Sequence, residues 1–396
     1  MVDMAESVGI GSAPRIGSVS STNASAAGSL ATTLSDYLAF AAQTPTAPAQ
    51  SPSWVSAWVD GRGDADIVLL DIAQRDARLY LPLEVNRIGP FRIATFLGGT
   101  HANGNFPPFE GSAMIAPGAV VEAVRRVRPD IDLLRLDRLT HTLGGHDNPL
   151  AHLATGESPN VSLAVDLEGG FDALLTRTSG KRKRKKHRSQ IRKFEAFGTY
   201  GKVEATTPSE VERLLDAFFV LKSARFQQLG LKDVFAAESV KRAFRNLFTA
   251  ALAVTPTPFA LHALEVGGKI RAVTGSSRSG DRLICEFGAI ADDELGFASP
   301  GEFLFFENIR QACEDGFSVY DFSVGDEHYK RLWCNIEERQ FDVLLPVTAK
   351  GRVLAGMIGT ASRVKRAIKS NDRLWTAVKR LRRVRATAPR DTGDDD

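Results

Sequence analysis

The sequence predicts an α/β protein, a mixed sheet flanked by helices, and three observations carry that prediction. Between Phe259 and Ile290 apolar residues recur at every second position in three runs, "FALHALEV", "KIRAVTGSSR" and "DRLICEFGAI", joined at Gly267-Gly268 and Ser279-Gly280 as tight hairpins require. Upstream, Thr207-Pro208-Ser209-Glu210 has the form of a capping box with proline at the first helical position, opening a helix that reaches about Leu229 before Gly230. Downstream, "EFLFFENIRQACEDG" reads as a helix stopped at Gly316, and the chain then returns to a strand at "FSVYDFS".

Taken from the N-terminus, the first thirty or so residues are rich in Ser, Ala, Gly and Thr, with too few large apolar groups to offset the entropy of ordering. The segments "DIVLLDIA", "ARLYLPLEV" and "RIATFLGG" predict successive strands, and "GAVVEAVRRV" predicts a helix. The polar loop "GGTHANGNFPPFEG" either lines a cleft or lies as a plain surface loop. Phe171, Leu174 and Leu175 fall at helical spacing, and Ile191, Phe194 and Phe197 extend an apolar stripe beneath a basic run before Gly198. A strand near "GKVEAT" precedes the capped helix, and a further helix spans about Ala237 to Leu252.

A hydrophobic content of 43% and a charged content of 24% suit two soluble domains of ordinary size. No apolar run approaches the roughly 18 residues of a membrane span, and the N-terminus lacks the order of a signal peptide, so a cytoplasmic protein is expected. Cys285, Cys313 and Cys334 are odd in number and widely spaced, which predicts free thiols, and none of the seven histidines stands at a metal-ligand spacing. No bound metal is expected.

The net charge of +3 hides a segregation. Nine bases lie between Lys181 and Lys193 with no acid before Glu195, and eleven more lie between Gly351 and Arg385 against the single Asp372. Two local basic surfaces on an otherwise acidic chain argue against a general nucleic-acid binder, and the first run lacks interleaved aromatics. The second reads as an amphipathic helix, with Val364, Ile368, Leu374, Trp375, Val378 and Leu381 as its stripe; it either meets anionic lipid or a polysaccharide-synthesis partner, or packs back on the protein.

The chemistry centres on the passage from "CEFGAI" through "ADDELGFASPG" into the next helix. A strand delivering a small-residue loop to a helix N-terminus leaves backbone N–H groups and the helix dipole for an anion: Ser299 suits the cap, Pro300 the first helical position, and Gly301 a close approach. An ordinary capped helix is the competing reading. Glu286, within an apolar strand, must face a cleft or a partner, because an unpaired buried carboxylate costs several kcal/mol.

The element order resembles the GNAT acyltransferase core, and "SPGEFLFFENIRQACEDGFSVYDFSVGDEHYKRLWC" looks like the CelD-like branch associated with exopolysaccharide and cellulose synthesis, itself similar to Fem-type transferases with two GNAT-like domains. That resemblance implies tandem GNAT-like domains: a tail over 1–32, an N-terminal domain over 33–160, a catalytic domain over 161–350, a basic helical segment over 351–386 and an acidic tail over 387–396. It implies acyl-coenzyme A, acetyl-CoA first, as co-substrate, with Ser299, Pro300 and Gly301 at its phosphates, although "ELGFASPG" replaces the usual Arg/Gln-x-x-Gly-x-Gly/Ala loop. Asp321 falls on the following strand, and Gly325, Tyr329 and Lys330 lie in "GDEHYK", where Fem relatives place an aromatic-lysine pair.

Direct acyl transfer needs a base and an oxyanion donor, so Asp321 or Glu286 is the candidate base and Lys330 or Tyr329 the candidate donor. Asp321 is otherwise a structural acid paired with Lys330 or Arg331, and Tyr329 otherwise packs on Trp333. Arg184 in the basic run and Arg225 near the end of the capped helix are candidate substrate contacts, each with a surface ion pair as its alternative. The expected reaction is acyl transfer to an amine or hydroxyl of a cell-surface sugar or its precursor. The alternatives are transfer from aminoacyl-tRNA and a non-catalytic partner of a synthesis complex.

Overall fold

A computed structural model describes residues 30–31, 33–63 and 65–369. The N-terminal half contains β1 (Leu30–Ala31), α1 (Leu34–Ala41), α2 (Pro52–Gly61), β2 (Ile67–Gln74), β3 (Ala77–Ile88), β4 (Phe91–Phe96), β5 (Phe109–Glu110), α3 (Pro117–Val127), β6 (Leu133–Leu139) and the small hairpin β7 (Thr142–Leu143) and β8 (His146–Asp147). It leads through β9 (Gly156–Asp166) into α4 (Gly170–Arg177), α5 (Gly180–Glu195), β10 (Tyr200–Glu204), α6 (Pro208–Gln228) and α7 (Glu238–Ala251). The chain continues through β11 (Phe259–Val266), β12 (Lys269–Ser279), β13 (Arg282–Ile290), α8 (Pro300–Glu314), β14 (Val319–Val324), α9 (His328–Arg331), β15 (Ile336–Pro346) and α10 (Ala349–Lys369).

Twelve of these strands form one path, β1-β2-β3-β4-β6-β15-β9-β14-β13-β12-β11-β10, with β5 attached to β3. Each half repeats one pattern: an antiparallel meander (β2-β3-β4; β11-β12-β13), a crossover helix (α3; α8) and a strand parallel to the last of the meander (β6 on β4; β14 on β13). The strand that completes each half is exchanged. β9 follows the N-terminal half yet pairs with β14, while β15 follows the C-terminal half yet pairs with β6, and the two pair with each other at the centre. A domain boundary at residue 160 therefore falls inside β9, and β15 belongs to the sheet of both halves.

The predicted local structure is present: β2 to β4, α3, and the run from α4 to β14. The capping box closes as read, with the Glu210 amide donating to Thr207 Oγ1 at 3.3 Å and the Thr207 amide donating to Glu210 at 3.0 Å. Phe197 is a correction. It follows the last turn of α5 and is 44% exposed, whereas Gln190 and Phe194 are the buried residues of that helix's last two turns.

The basic C-terminal helix begins at Ala349, and its first turns pack Leu354, Ala355 and Ile358 on Ile93, Leu133 and Leu344 of β4, β6 and β15. Trp375 and the rest of the predicted stripe beyond Lys369 lie outside the described residues. No helix among the described residues is long and apolar enough to cross a membrane.

The largest core joins the halves. Trp54 and Trp58 of α2 pack with Phe244 of α7 and, through it, with Phe218 and Phe235. The helices approach so closely that a Cβ on Gly61 would lie 2.4 Å from the Ala243 Cα. Gly61→Ala should therefore lose about 1–3 kcal/mol in urea unfolding through overpacking, while Gly63→Ala, with no atom within 4 Å of the added carbon, should stay close to wild type.

Candidate active site

The site forms where β13 and β14 part. The two strands are registered in parallel over only three pairs, Arg282 with Val319, Leu283 with Tyr320 and Ile284 with Asp321. Beyond Ile284 two irregularities drive them apart. On β13 the register against β12 shifts between Gly275 and Ser276, leaving Glu286 as the extra residue of a bulge. On β14 Ser323 adopts a left-handed φ of 55°, and the register against β9 shifts after Asp321.

Asp321 and Lys330 hold the second irregularity. Asp321 Oδ1 accepts from the Ser323 amide at 2.6 Å, and Oδ2 accepts from Arg282 at 2.8 Å. Arg282 also forms a fork on Glu338 of β15, at 2.9 and 2.6 Å. Burial pushes the Asp321 carboxyl upward against the pull of Arg282. Its partner is thus Arg282, and neither Lys330 nor Arg331, which pairs with Asp326 and Glu337.

Lys330 is 2% exposed, and its ammonium contacts three oxygens: Ser323 O at 3.3 Å, Val324 O at 3.0 Å and Glu327 at 3.1 Å. Held by these oxygens, it braces the turn after β14. Gly325 belongs to the same turn, with φ 132°, and a Cβ there would lie 2.5 Å from the Glu327 carboxylate and 3.0 Å from the Lys330 ammonium. Tyr329 stacks on Phe305 at 5.4 Å and meets Phe322 edge-on, so its packing partner differs from the expected Trp333.

Glu286 has the opposite character. It accepts from Ser277 Oγ at 2.5 Å and from Asn103 Nδ2 at 2.8 Å, has no cationic partner among the described residues, and burial pushes its pKa up. Asn103 comes from the polar loop after β4 and also donates to the Glu286 carbonyl at 2.7 Å. That loop is anchored by His101, half-buried between Trp58 and Phe235, where desolvation drives its pKa down to about 3. The N-terminal half thereby reaches into the opening of the C-terminal half.

The lysine at this opening is Lys222 of α6. Its ammonium donates to Gly288 O at 3.0 Å, and burial lowers its pKa. Arg225 on the same helix, the expected substrate contact, is exposed, and its side chain bonds only Gln228 among the described residues. The signal for Lys222 was present: it falls on the buried stripe of Leu215, Phe218, Phe219 and Phe226, where a lysine needs a reason.

The loop before α8 needs the largest correction. Ser299 has φ 54° and makes no side-chain cap, and the space beside Gly301 is filled by Ile290, whose Cδ1 would lie 2.3 Å from an added Cβ. The amides of Gly296, Ala298 and Ser299 already donate to Asp293, Leu295 and Gly296 carbonyls. Positive charge comes instead from α5: Lys193 sits over Phe297 and donates to its carbonyl, and Lys186 pairs with Glu302 in the first turn of α8. Gln190 donates to the Ala298 and Ser299 carbonyls at 2.9 and 3.1 Å, tying α5 to the loop. The strand opening beside this loop fits an extended acyl-coenzyme A, while these three loop amides and both lysines are already engaged within the protein. Arg184 takes no part; it is exposed and pairs with Asp172.

Comparison with known proteins agrees with this fold. Residues 181–331 match the family described as "Acetyltransferase (GNAT) domain". Among solved structures, FemX is similar over 84% of this chain and 99% of its own, at 10% identity and a TM-score of 0.56. A conserved protein of unknown function from Bacteroides thetaiotaomicron VPI-5482 follows at 14% identity and 0.47, covering 80% of this chain and 99% of its own. A tandem GNAT protein from the clavulanic acid biosynthesis pathway stands at 14% and 0.42, covering 79% and 93%. No curated protein sequence matches the chain. Residues 181–331 thus carry a GNAT acetyltransferase domain, the class that uses acyl-coenzyme A, and the chain has an acyltransferase fold of the GNAT kind, similar to that of FemX.

Removing the brace should cost stability. Lys330→Met leaves the oxygens around it without their buried cation, so urea unfolding should show a loss of about 3 kcal/mol. A change below about 0.5 kcal/mol would mean that Lys330 is not structural.

Proposed function

We propose that the protein transfers an acyl group, acetyl first, from acyl-coenzyme A to an amine or hydroxyl of a polysaccharide, an amino sugar or its precursor, with Glu286 as general base. The observation that carries this reading is the contrast between two carboxyl groups at one strand opening: Asp321 is committed to Arg282 and a backbone amide, while Glu286 accepts only from Ser277 and Asn103 and has no cationic partner among the described residues. The CelD-like resemblance supports the choice of sugar acceptors.

The thioester supplies the activated acyl carbon: the acceptor nitrogen or oxygen bonds to it, the C–S bond breaks, and coenzyme A leaves as a thiolate that takes up a proton to become the free thiol. Glu286 takes the proton that the acceptor loses on attack, and a base of raised pKa does this at less cost in proton affinity than an ordinary carboxylate. Lys222, with one N–H on Gly288 O, has further donors to turn toward the developing oxyanion. Asn103 and Ser277 fix the Glu286 carboxylate, and Asp321, Arg282 and Lys330 hold β14 away from β13.

A second reading, with aminoacyl-tRNA as donor, is favoured by one feature of α5. Lys181, Lys185, Arg188 and Arg192 recur along one side of the helix, all exposed and without an acidic partner among the described residues. That stripe runs about 16 Å at the helical rise and suits a phosphate backbone. Steep salt dependence of tRNA binding, lost when Lys181, Lys185 and Arg188 are neutralised together, would select it.

The test of the leading reading is thiol release from acetyl-CoA with a panel of amino sugars and amines. Glu286→Gln should lower kcat by about 10²-fold or more, and the acid limb of kcat/KM should have a midpoint above the ordinary glutamate value of about 4.3 and vanish in the variant. Lys222→Met should lower kcat by about 10²-fold. Full turnover in Glu286→Gln would reject the assignment.

A further inference from the structure

The cleft beside this opening is unassigned. It has a volume of about 90 Å³ and lies between β6, β9 and β15, bounded by Val324 of β14 and by the loop that carries Asn103. That room is below the roughly 300–1,000 Å³ of a drug-sized ligand site and suits one small polar group of a ligand. Arg135, Asp137, Arg138 and Asp342 are among its charged walls, and their charges cancel. Arg135 is paired with Asp137 at 2.8 Å, and Arg138 donates to the Thr100 and Ala102 carbonyls at 3.3 and 3.0 Å. Those cations are occupied, so the walls do not suit a diphosphate.

What the cleft offers is acceptor oxygen. Gln340 is 4% exposed and donates Nε2 to the Asn103 carbonyl at 2.8 Å, while its Oε1 has no hydrogen-bond partner among the described residues. A buried amide oxygen without a donor costs about 1–3 kcal/mol, which a ligand N–H or O–H would relieve. Asp342 Oδ1 accepts from Ser158 Oγ and from the Arg138 amide, and no side chain among the described residues donates to Oδ2. Arg138 is held for that contact at a left-handed φ of 58°, a conformation that costs a non-glycine residue about 1–2 kcal/mol. The Gln340-Asn103-Glu286 hydrogen-bond chain places this wall one residue from the proposed base.

We propose that this cleft is the acceptor pocket, that it takes an uncharged or cationic polyhydroxylated amine of the amino-sugar class in preference to a sugar diphosphate, and that Gln340 is its specificity-determining residue. The assignment rests on the acyl-transfer reading for the meaning of "acceptor" but not for binding itself. Glucosamine's hydroxyl and ammonium donors match Gln340 Oε1 and Asp342 Oδ2, whereas the phosphates of a sugar nucleotide would meet the two carboxylates with no free cation.

The test is binding without acyl donor, using the full chain carrying Glu286→Gln and glucosamine or UDP-glucosamine as probes, read by calorimetry and ligand-observed NMR. Glucosamine should bind, UDP-glucosamine should bind no more tightly, and Gln340→Met should weaken glucosamine at least tenfold. Asp342→Asn, which keeps the Oδ1 acceptor and so spares the fold, should weaken it similarly. Binding of UDP-glucosamine alone, or glucosamine binding unchanged in both variants while their melting temperatures match wild type, would overturn the proposal. Glucosamine binding that depends on Gln340 with no acyl transfer in the parent protein would keep the pocket and reject the acyl reading. Acyl transfer to amines insensitive to both variants would do the reverse.

Discussion

The exchange of β9 and β15 is the constraint on which the rest depends. Each strand ends one half of the chain and completes the sheet of the other, and the pair they form with each other closes the centre of the sheet. Neither half can satisfy the backbone of its parallel strand alone, since β6 needs β15 and β14 needs β9. The exchange also builds the site. β15 brings Glu338 to Arg282 and Gln340 to Asn103, so the two halves are joined by the same residues that organise the strand opening.

Electrostatics at that opening follow a division of labour set by burial. Asp321, Arg282 and Glu338 form a network whose members satisfy one another, the condition under which buried charge is tolerable. Lys330 plays the same part for the turn after β14, with oxygens around its ammonium. Glu286 and Lys222 are different: neither has an ion-pair partner among the described residues, burial draws both toward the neutral state, one from each direction, and Lys222 bonds the β13 carbonyl two residues beyond Glu286. Groups poised in that way are the ones suited to proton and charge handling.

The elements legible in the sequence are those whose determinants are local. The capping box of α6, the glycine hairpins of β11 to β13 and the proline-started α8 were readable because one short stretch fixes each. The helices α1 and α2 and the strands β9 and β15 were not identified, and β15 shows why. "IEERQFDVLLP" lies at the centre of the sheet yet carries Glu337, Glu338 and Arg339, whose ion partners Arg331, Arg282 and Glu157 are remote or unpredictable from spacing. Its charges conceal the strand until the pairing is known. Glu286 was legible as a carboxylate on an apolar strand, and Lys222 was equally visible on an apolar helical stripe, whereas Asp321 and Lys330 were singled out through resemblance and stand as braces. The basic run divides in its contacts: Lys183, Lys186 and Lys193 reach the rest of the protein, while Lys181, Lys185, Arg188 and Arg192 line one outward side of the helix and Arg182 and Arg184 are exposed beside them.

The central claim is that the open edge of β13, where Asn103 and Lys222 now serve the Glu286 and Gly288 carbonyls, is where the acyl donor lies. Hydrogen–deuterium exchange with and without saturating coenzyme A tests it directly. The account predicts new protection in peptides spanning residues 284–301, accompanied by changes around residue 222 and in the loop that carries Asn103. Protection confined to the N-terminal half, or the absence of any change at β13 while coenzyme A is bound, would contradict it.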